Sequence, residues 1–437
     1  MKRLRYSVLA FTLLGLFIGG VGNVWGSGTT EKSGAPIEIK LLSRWSEDTP
    51  QSNLFRARID EFNAKNSDIR IIGEFISDEP AFLDKLRTSF ATGQLYDIYW
   101  GYGGSREADY AVNGLLVDME PVKKANPEWA AKFIPGLDDK WKYPGTTGTF
   151  GIPGEMYSIA LFYNEELFSR AGLKPPVTIE DFEKVSDAFL KQGIIPFALG
   201  AKDAWRTGHL FNNFIMKTFG SAGVDALAKR TMAYDSKEIS SIFTKISDYN
   251  KRGYFGPNAV SVDYNQEKTL FQQGKSAMHM DGSWYLGEIA AYPNVDSFGV
   301  MSFPYVKEAY KASWFGSGGG WSVCKSKDKA HEAAAVKVAM YITEMDYFSR
   351  AVIANKGGIQ PVVMKDSDTK GAVISSISKK HMVALSEAKD LRDDVQTYDP
   401  LPSMLDTARI AIQGLFIGKS PQDVSKEILA EIKARAQ

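Results

Sequence analysis

IEIKLLSRWSEDTPQSNLFRARIDEFNAKNSDIRIIGEFISDEPAFLDKLRTSFATGQLYDIYW, residues 37–100, is the stretch whose reading decides the fold. Residues 37–43 read as a strand, and 51–63 as a helix with Leu54, Phe55, Ile59 and Phe62 on one face. Residues 69–75 give a second strand, 81–92 a second helix and 97–100 a third strand. A strand–helix–strand–helix–strand order closes into a parallel sheet with right-handed crossovers, which places the chain in the α/β class.

Further along, a second set of elements begins. Residues 159–163 read as a strand, and Thr178 with Asp181 forms a capping-box-like start to a helix reaching Gln192. Two more helices precede strands at 277–280 and 299–302, and Gly320-Trp-Ser-Val-Cys324 reads as a buried strand. The last part is largely helical, and Ser420-Pro421-Gln-Asp423 supplies an N-cap, a first-turn proline and an acid at the positive end of the dipole. No internal repeat and no long linker separates the two sets. Lobes joined by several short crossings are therefore expected, with a cleft that desolvates a small ligand from both sides.

Toward the N-terminus, Lys2, Arg3 and Arg5 precede an apolar run from Val8 to Val21, followed by small residues up to Gly28. Charge, then grease, then small residues is the secretory signal pattern, and the run is shorter than the roughly 20 residues of a spanning helix. A leader over 1–26 and a flexible polar segment over 27–36 are expected. The whole chain carries 52 basic and 52 acidic side chains; the leader takes three bases with it, so the mature protein lies near −3. That balance, with no basic run, excludes an electrostatic footprint for nucleic acid. Cys324 is the only cysteine, which excludes an intramolecular disulfide and a lipid-bearing cysteine at the end of the leader. A periplasmic, monomeric protein is expected.

Catalytic signatures are sparse. His209, His279, His331 and His381 show no metal-ligand spacing, no cofactor motif is present, and His279, alternating with Met278 and Met280, reads as a structural histidine. The run Gly316-Ser-Gly-Gly-Gly320 is neither a P-loop nor a nucleophile elbow; it is a turn, or a place where backbone approaches a ligand or another segment. Glu155 and Asp281 are the acid pair a secreted glycosidase would use. The aromatic distribution points elsewhere: Trp45, Trp100, Trp205, Trp284, Trp314 and Trp321 fall at or near strand ends and loops, often beside polar groups. Ligands of open α/β sheets sit outside the carboxyl ends of strands. A pyranose, with apolar faces and a hydroxyl rim, needs flat plates plus polar partners. Trp284 follows the strand at 277–280, with Gly282 expected to turn the chain and Ser283 to cap the next helix.

These pieces resemble the extracellular solute-binding proteins of ABC sugar importers, the group that includes maltodextrin-binding proteins. The resemblance runs in order through Phe62-Asn-Ala-Lys-Asn66, Ala91-Thr-Gly93 with Asp97-Ile98, Gly114-Leu-Leu-Val-Asp118, Gly151-Ile-Pro153 and Leu161-Phe-Tyr-Asn164. It continues through Phe271-Gln-Gln-Gly-Lys-Ser-Ala-Met278, Gly282-Ser-Trp284 and Gly358-Ile-Gln-Pro361. It implies a type II periplasmic-binding-protein fold of two α/β lobes with a three-crossing hinge, lobe 1 holding 37–153 and 304–358 and lobe 2 holding 154–303 and 359–437. It implies a sugar ligand, a membrane permease as partner, and no enzymatic activity. The ligand residues it implies are Arg44, Trp45, Glu47, Tyr99, Trp100, Glu155, Tyr157, Asp281, Trp284, Gly319 and Trp321, with Trp205 and Tyr398 added. A polyamine or metal complex is the alternative cargo.

Overall fold

The computed structural model describes residues 35–435, so the expected leader over 1–26 and residues 27–34 of the segment after it lie outside the described residues. Strand β1 (Ile37–Ser43) alternates buried Ile39 and Leu41 with exposed Glu38 and Lys40. It pairs in parallel with β2 (Ile69–Phe75) and β3 (Ile98–Gly101), as the opening pattern requires. The helix between β1 and β2, Pro50–Lys65, is capped by Thr49, whose hydroxyl accepts from Ser52 N. Phe55, Ile59 and Phe62 go under the sheet, each burial contributing about 1.5–3 kcal/mol. Two short strands complete this sheet in the order β2-β1-β3-β10-β4: β4 (Ile152–Pro153) and the later β10 (Gly320–Val323), which runs antiparallel to β3 with Trp321 opposite Trp100.

The second sheet is built around β5 (Tyr157–Asn164), with β6 (Ile195–Ala198), β7 (Ser276–Gly282), β8 (Phe298–Met301), β9 (Ser313–Ser317) and β11 (Asp390–Arg392). Its order is β11-β9-β5-β7-β6, with β8 also pairing β5. Thr178 and Asp181 form the expected capping box. Helix Ala204–Ala228 bends at Gly220, whose φ of 64° a side chain would strain.

Two crossings between the sheets lie side by side. Chain leaves β4 for β5, and leaves β9 for β10, with Tyr157 paired to Ser317 and Pro153 to Gly320. The expected change of lobe at 303/304 does not occur there. Ser313–Ser317 pairs with β5 and β11 in the second sheet, so the chain crosses at Gly318 and Gly319. A five-residue strand with an internal glycine carries too little periodicity to show this in sequence. The third crossing also falls later than 358/359. Val362 still bridges Phe133 and packs in the first core, whereas helix Ser376–Ser386 packs on β8. Cys324 is buried beside Leu116, consistent with a packing residue.

Candidate functional site

On the second lobe the chain leaves β7 at Gly282 and folds the indole of Trp284 back across that glycine. A methyl group on Gly282 would stand 2.2 Å from Trp284 Cζ3. Gly282 does not have a positive φ, so it supplies room rather than the expected turn. Ser283 is not a helix cap either; its N–H donates to Ser158 O and its Oγ accepts from Ser158 N. Trp284 is 36% exposed, the sole aromatic among the exposed large apolar side chains of the described residues. Its ring meets Tyr157 edge-on at 5.0 Å and Trp205 at 6.5 Å. Half-buried Trp205 leans on Tyr264 at 5.0 Å and carries the Arg206 guanidinium at 4.7 Å.

Behind these rings lies a fully buried charge array. Arg206 forks onto Glu267 through Nε (2.9 Å) and Nη2 (2.5 Å). His279 Nε2 sits 2.9 Å from Asp281 Oδ2, and its Nδ1 2.8 Å from Glu267 Oε1 without the alignment of a hydrogen bond. Burial alone would neutralise these groups. Glu267 and Asp281 overcome it and hold His279 above its ordinary pKa, while His279 and Arg206 hold Asp281 below the ordinary carboxylate range. Asp281 also accepts from Tyr264 Oη (2.9 Å) and Gly282 N (2.8 Å). Its oxygens are engaged and it is fully buried, so it supports the site from behind and is unavailable as a ligand acceptor or a catalytic acid.

On the first lobe, Trp45 is half-buried over Phe55 (4.6 Å), Trp100 (4.7 Å) and Trp321 (5.5 Å). Trp100 and Trp321 are 2% and 0% exposed, and Trp321 stacks on Phe55 at 5.0 Å, so Trp321 is the floor of this cluster and not a free plate. Tyr99 points the other way, into the core, where its hydroxyl donates to Glu107 (3.0 Å). Strand alternation sends Tyr99 and Trp100 to opposite faces, so only one of the pair can serve the site. Glu47 is exposed and outside the cluster, with its carbonyl taking Arg56. A methyl group on Gly319 would strike Trp100 Cζ2 at 2.2 Å, and the Gly319 carbonyl accepts from Gly154 N (2.9 Å) and Glu155 N (3.0 Å). The glycine run therefore admits close approach of another segment of this chain.

Charged groups from both lobes meet along the crossings. Arg44 donates to the Tyr102 hydroxyl and to Ser77 O (3.3 Å). Lys140 donates to Ser317 Oγ (2.9 Å) and Asp393 Oδ2 (2.9 Å), and Tyr157 Oη donates to Asp393 Oδ1 at 3.3 Å. Arg409 holds Asp394 (2.9 Å), and Arg106 and Arg87 both reach Asp406 (3.0 and 2.8 Å). Glu79 lies 3.8 Å from Arg106 and 4.0 Å from Arg409. Glu155 is half-buried at the first crossing; burial pushes its carboxyl up to about 7 against the pull of Arg44 and Lys140. A cavity of about 520 Å³ opens beside Trp100 and Tyr102, closed by Phe82 and Leu86 on one side and Asp406 and Ile410 on the other.

The structure thus gathers Trp205, Trp284 and Tyr157 on one lobe and Arg44, Trp45 and Trp100 on the other, with Glu155 at the crossing. Tyr398 stands apart under the Arg392 guanidinium, 3.9 Å from its ring centre. Sequence reasoning missed Tyr102, Lys140, Tyr264, Asp393 and Arg409. Tyr102 was within reach, two residues past Trp100 at a strand end. Tyr264 follows Asp263, which caps its helix in a capping box with Gln266. Lys140, Asp393 and Arg409 carry no local signal, because only the crossings bring them near. Among the described residues no group of three or more His, Cys, Asp or Glu is arranged to hold a metal, and no helix is long and apolar enough to cross a membrane.

The maltotriose-binding protein of Pyrococcus abyssi (strain GE5 / Orsay) is 24% identical over 263 residues, 60% of this chain and 52% of that protein, about half its length. The sn-glycerol-3-phosphate-binding periplasmic protein of Escherichia coli (strain K12) is 23% identical over 295 residues, 65% of each chain. The solved structure of a chitin oligosaccharide binding protein superposes with a TM-score of 0.83 at 21% identity, over 92% of this chain and 100% of that one. That likeness establishes the fold, the two-lobed α/β architecture of type II periplasmic binding proteins. Residues 47–347, more than half the chain, match the model of one family throughout: this chain belongs to the bacterial extracellular solute-binding proteins.

Proposed function

We propose that this chain is a non-enzymatic receptor that captures an uncharged sugar or short oligosaccharide between its lobes and passes it to an ABC permease. The observation that carries this reading is the combination of Trp284 and Trp205 on one lobe with Arg44 and Trp45 on the other and Glu155 at the crossing between them. Indole plates suit the apolar faces of a pyranose, and the flanking polar groups suit its hydroxyls.

Charge balance selects the ligand class. Lys140 is paired with Asp393, Arg409 with Asp394, and Arg106 with Asp406. A phosphate ester or sugar acid needs cations without carboxylate partners, and a polyamine needs acids without cationic ones. Arg44, whose hydrogen bonds go to Tyr102 and Ser77, is offset at longer range by Glu79 and Glu155. With the cations balanced in this way, a neutral polyol gains hydrogen bonds at the smallest desolvation cost. The glycosidase reading loses Asp281, whose oxygens are spent on His279, Tyr264 and Gly282. In this reading lobe 1 takes residues up to 153 and from 319 to about the Val362 bridge, and lobe 2 the remainder. Closure bends the paired crossings.

Titration calorimetry with maltotriose, chito-oligosaccharides and sn-glycerol 3-phosphate, with chromatography of the recovered ligand, tests the reading. Stoichiometric binding of an intact neutral sugar is expected. Preference for the phosphate ester, or cleavage of the sugar, overturns it.

A further inference from the structure

We propose that Tyr264 is a positioning residue: its phenol fixes the plane of the Trp284 indole so that the exposed plate is oriented before ligand arrives. The role in ligand capture rests on the function proposed above; the orientation itself does not.

An indole that is 36% exposed at the end of a strand has solvent on one face and, unless tethered, several rotamers. Three contacts remove that freedom. Gly282 leaves the space under the ring, Tyr157 meets the ring edge-on at 5.0 Å, and Trp284 Nε1 donates to Tyr264 Oη at 3.0 Å. The last is the directional one. Tyr264 has a single hydroxyl proton, and Asp281 takes it at 2.9 Å, which turns a lone pair of Oη toward the indole. Asp281 is itself fixed by His279 and by Gly282 N. Burial and the neighbouring Asp281 hold the phenol well above its ordinary pKa, so its proton stays in place.

The same side chain touches both Trp284 and Trp205, since Trp205 meets the Tyr264 ring edge-on at 5.0 Å. Tyr264 is in turn anchored by position. It opens helix Tyr264–Gln272, whose start is set by the Asp263–Gln266 capping box, and its own N–H donates to Asp203 at 2.8 Å. The buried array of Arg206, Glu267, His279 and Asp281 thus reaches the Trp284 indole through one phenol. A side chain held in its bound orientation loses less freedom on binding, so affinity gains without a new contact.

The test uses the whole protein without ligand, labelled with ¹⁵N at tryptophan, the Trp284 indole resonance being assigned from Trp284→Phe. In Tyr264→Phe the Trp284 indole proton is expected to move upfield and its order parameter to fall, with the indole resonances other than that of the adjacent Trp205 unmoved. A folded variant whose Trp284 indole keeps its order parameter overturns the proposal. Hydrogen exchange of the Trp284 indole N–H in the wild-type protein decides the matter without any variant: slow exchange is expected, and exchange at the rate of a free indole overturns it. With maltotriose as probe, Tyr264→Phe is expected to weaken binding about five- to tenfold, and an affinity within twofold of wild type also overturns the positioning role. If wild-type protein ignores maltotriose while the indole loses order in Tyr264→Phe, the choice of ligand fails and the orientation stands.

Discussion

Lowering the pH from 7.5 to 4.5 should weaken the fold through one buried imidazole, His381. Its Nε2 lies 2.8 Å from Ser158 Oγ, its ring faces Trp314 edge-on at 6.5 Å, and the side chain is 0% exposed. Burial pushes its pKa down from 6.5 to about 4. An unfolded chain takes up this proton near pH 6.5, and the folded chain refuses it until about 4. Between those values the unfolded state binds more protons, so the contribution is complete above 6.5 and is lost as pH falls toward 4. At roughly 1.4 kcal/mol per pH unit the loss reaches about 2.5 kcal/mol by pH 4.5. That is a large share of the 5–15 kcal/mol roughly typical of a folded domain. His381→Gln keeps a hydrogen-bonding group near Ser158 but has nothing to ionise. Urea unfolding of both proteins at pH 7.5, 5.5 and 4.5 is the assay, and His209, also held neutral by burial, cancels in the comparison. Wild type should lose about 2.5 kcal/mol more than the variant across this range. Parallel pH profiles would refute the argument.

Two further outcomes concern the cleft. Gly282→Ala places a methyl group 2.2 Å from the Trp284 ring and should swing the indole outward. Binding of maltotriose should fall by about 2 kcal/mol, some thirtyfold, and the loss should vanish in a Trp284→Ala background; an undiminished effect there would mean that Gly282 acts through something other than the indole. Glu155, with a pKa near 7, should make affinity fall up to about tenfold from pH 8 to pH 6 if a ligand hydroxyl donates to its carboxylate. Calorimetry on Glu155→Gln should show a flat profile, and a retained slope would assign the proton to another group.

What the sequence determined by itself is whatever depends on neighbours a few residues apart. The strand Ile37–Ser43, the helical face of Leu54, Phe55, Ile59 and Phe62, and the Thr178–Asp181 capping box are all local, and each formed as read. The projection of the Trp284 ring from a strand end was legible because the strand before it ends in a short polar tripeptide. Tertiary structure decided the rest, because direction and partnership are set by distant segments. Tyr99 and Trp100 look equivalent in sequence until the sheet sends one to Glu107 and the other to Trp45. Asp281 reads as a free acid until His279, Tyr264 and Arg206 surround it. Ser313–Ser317 has no periodicity that assigns it to a lobe; only pairing with β5 and β11 does so. The contacts between Lys140 and Asp393, and between Arg106 and Asp406, join residues 253 and 300 positions apart. No local pattern can encode such a pair, since its geometry exists only once both sheets and their crossings have formed.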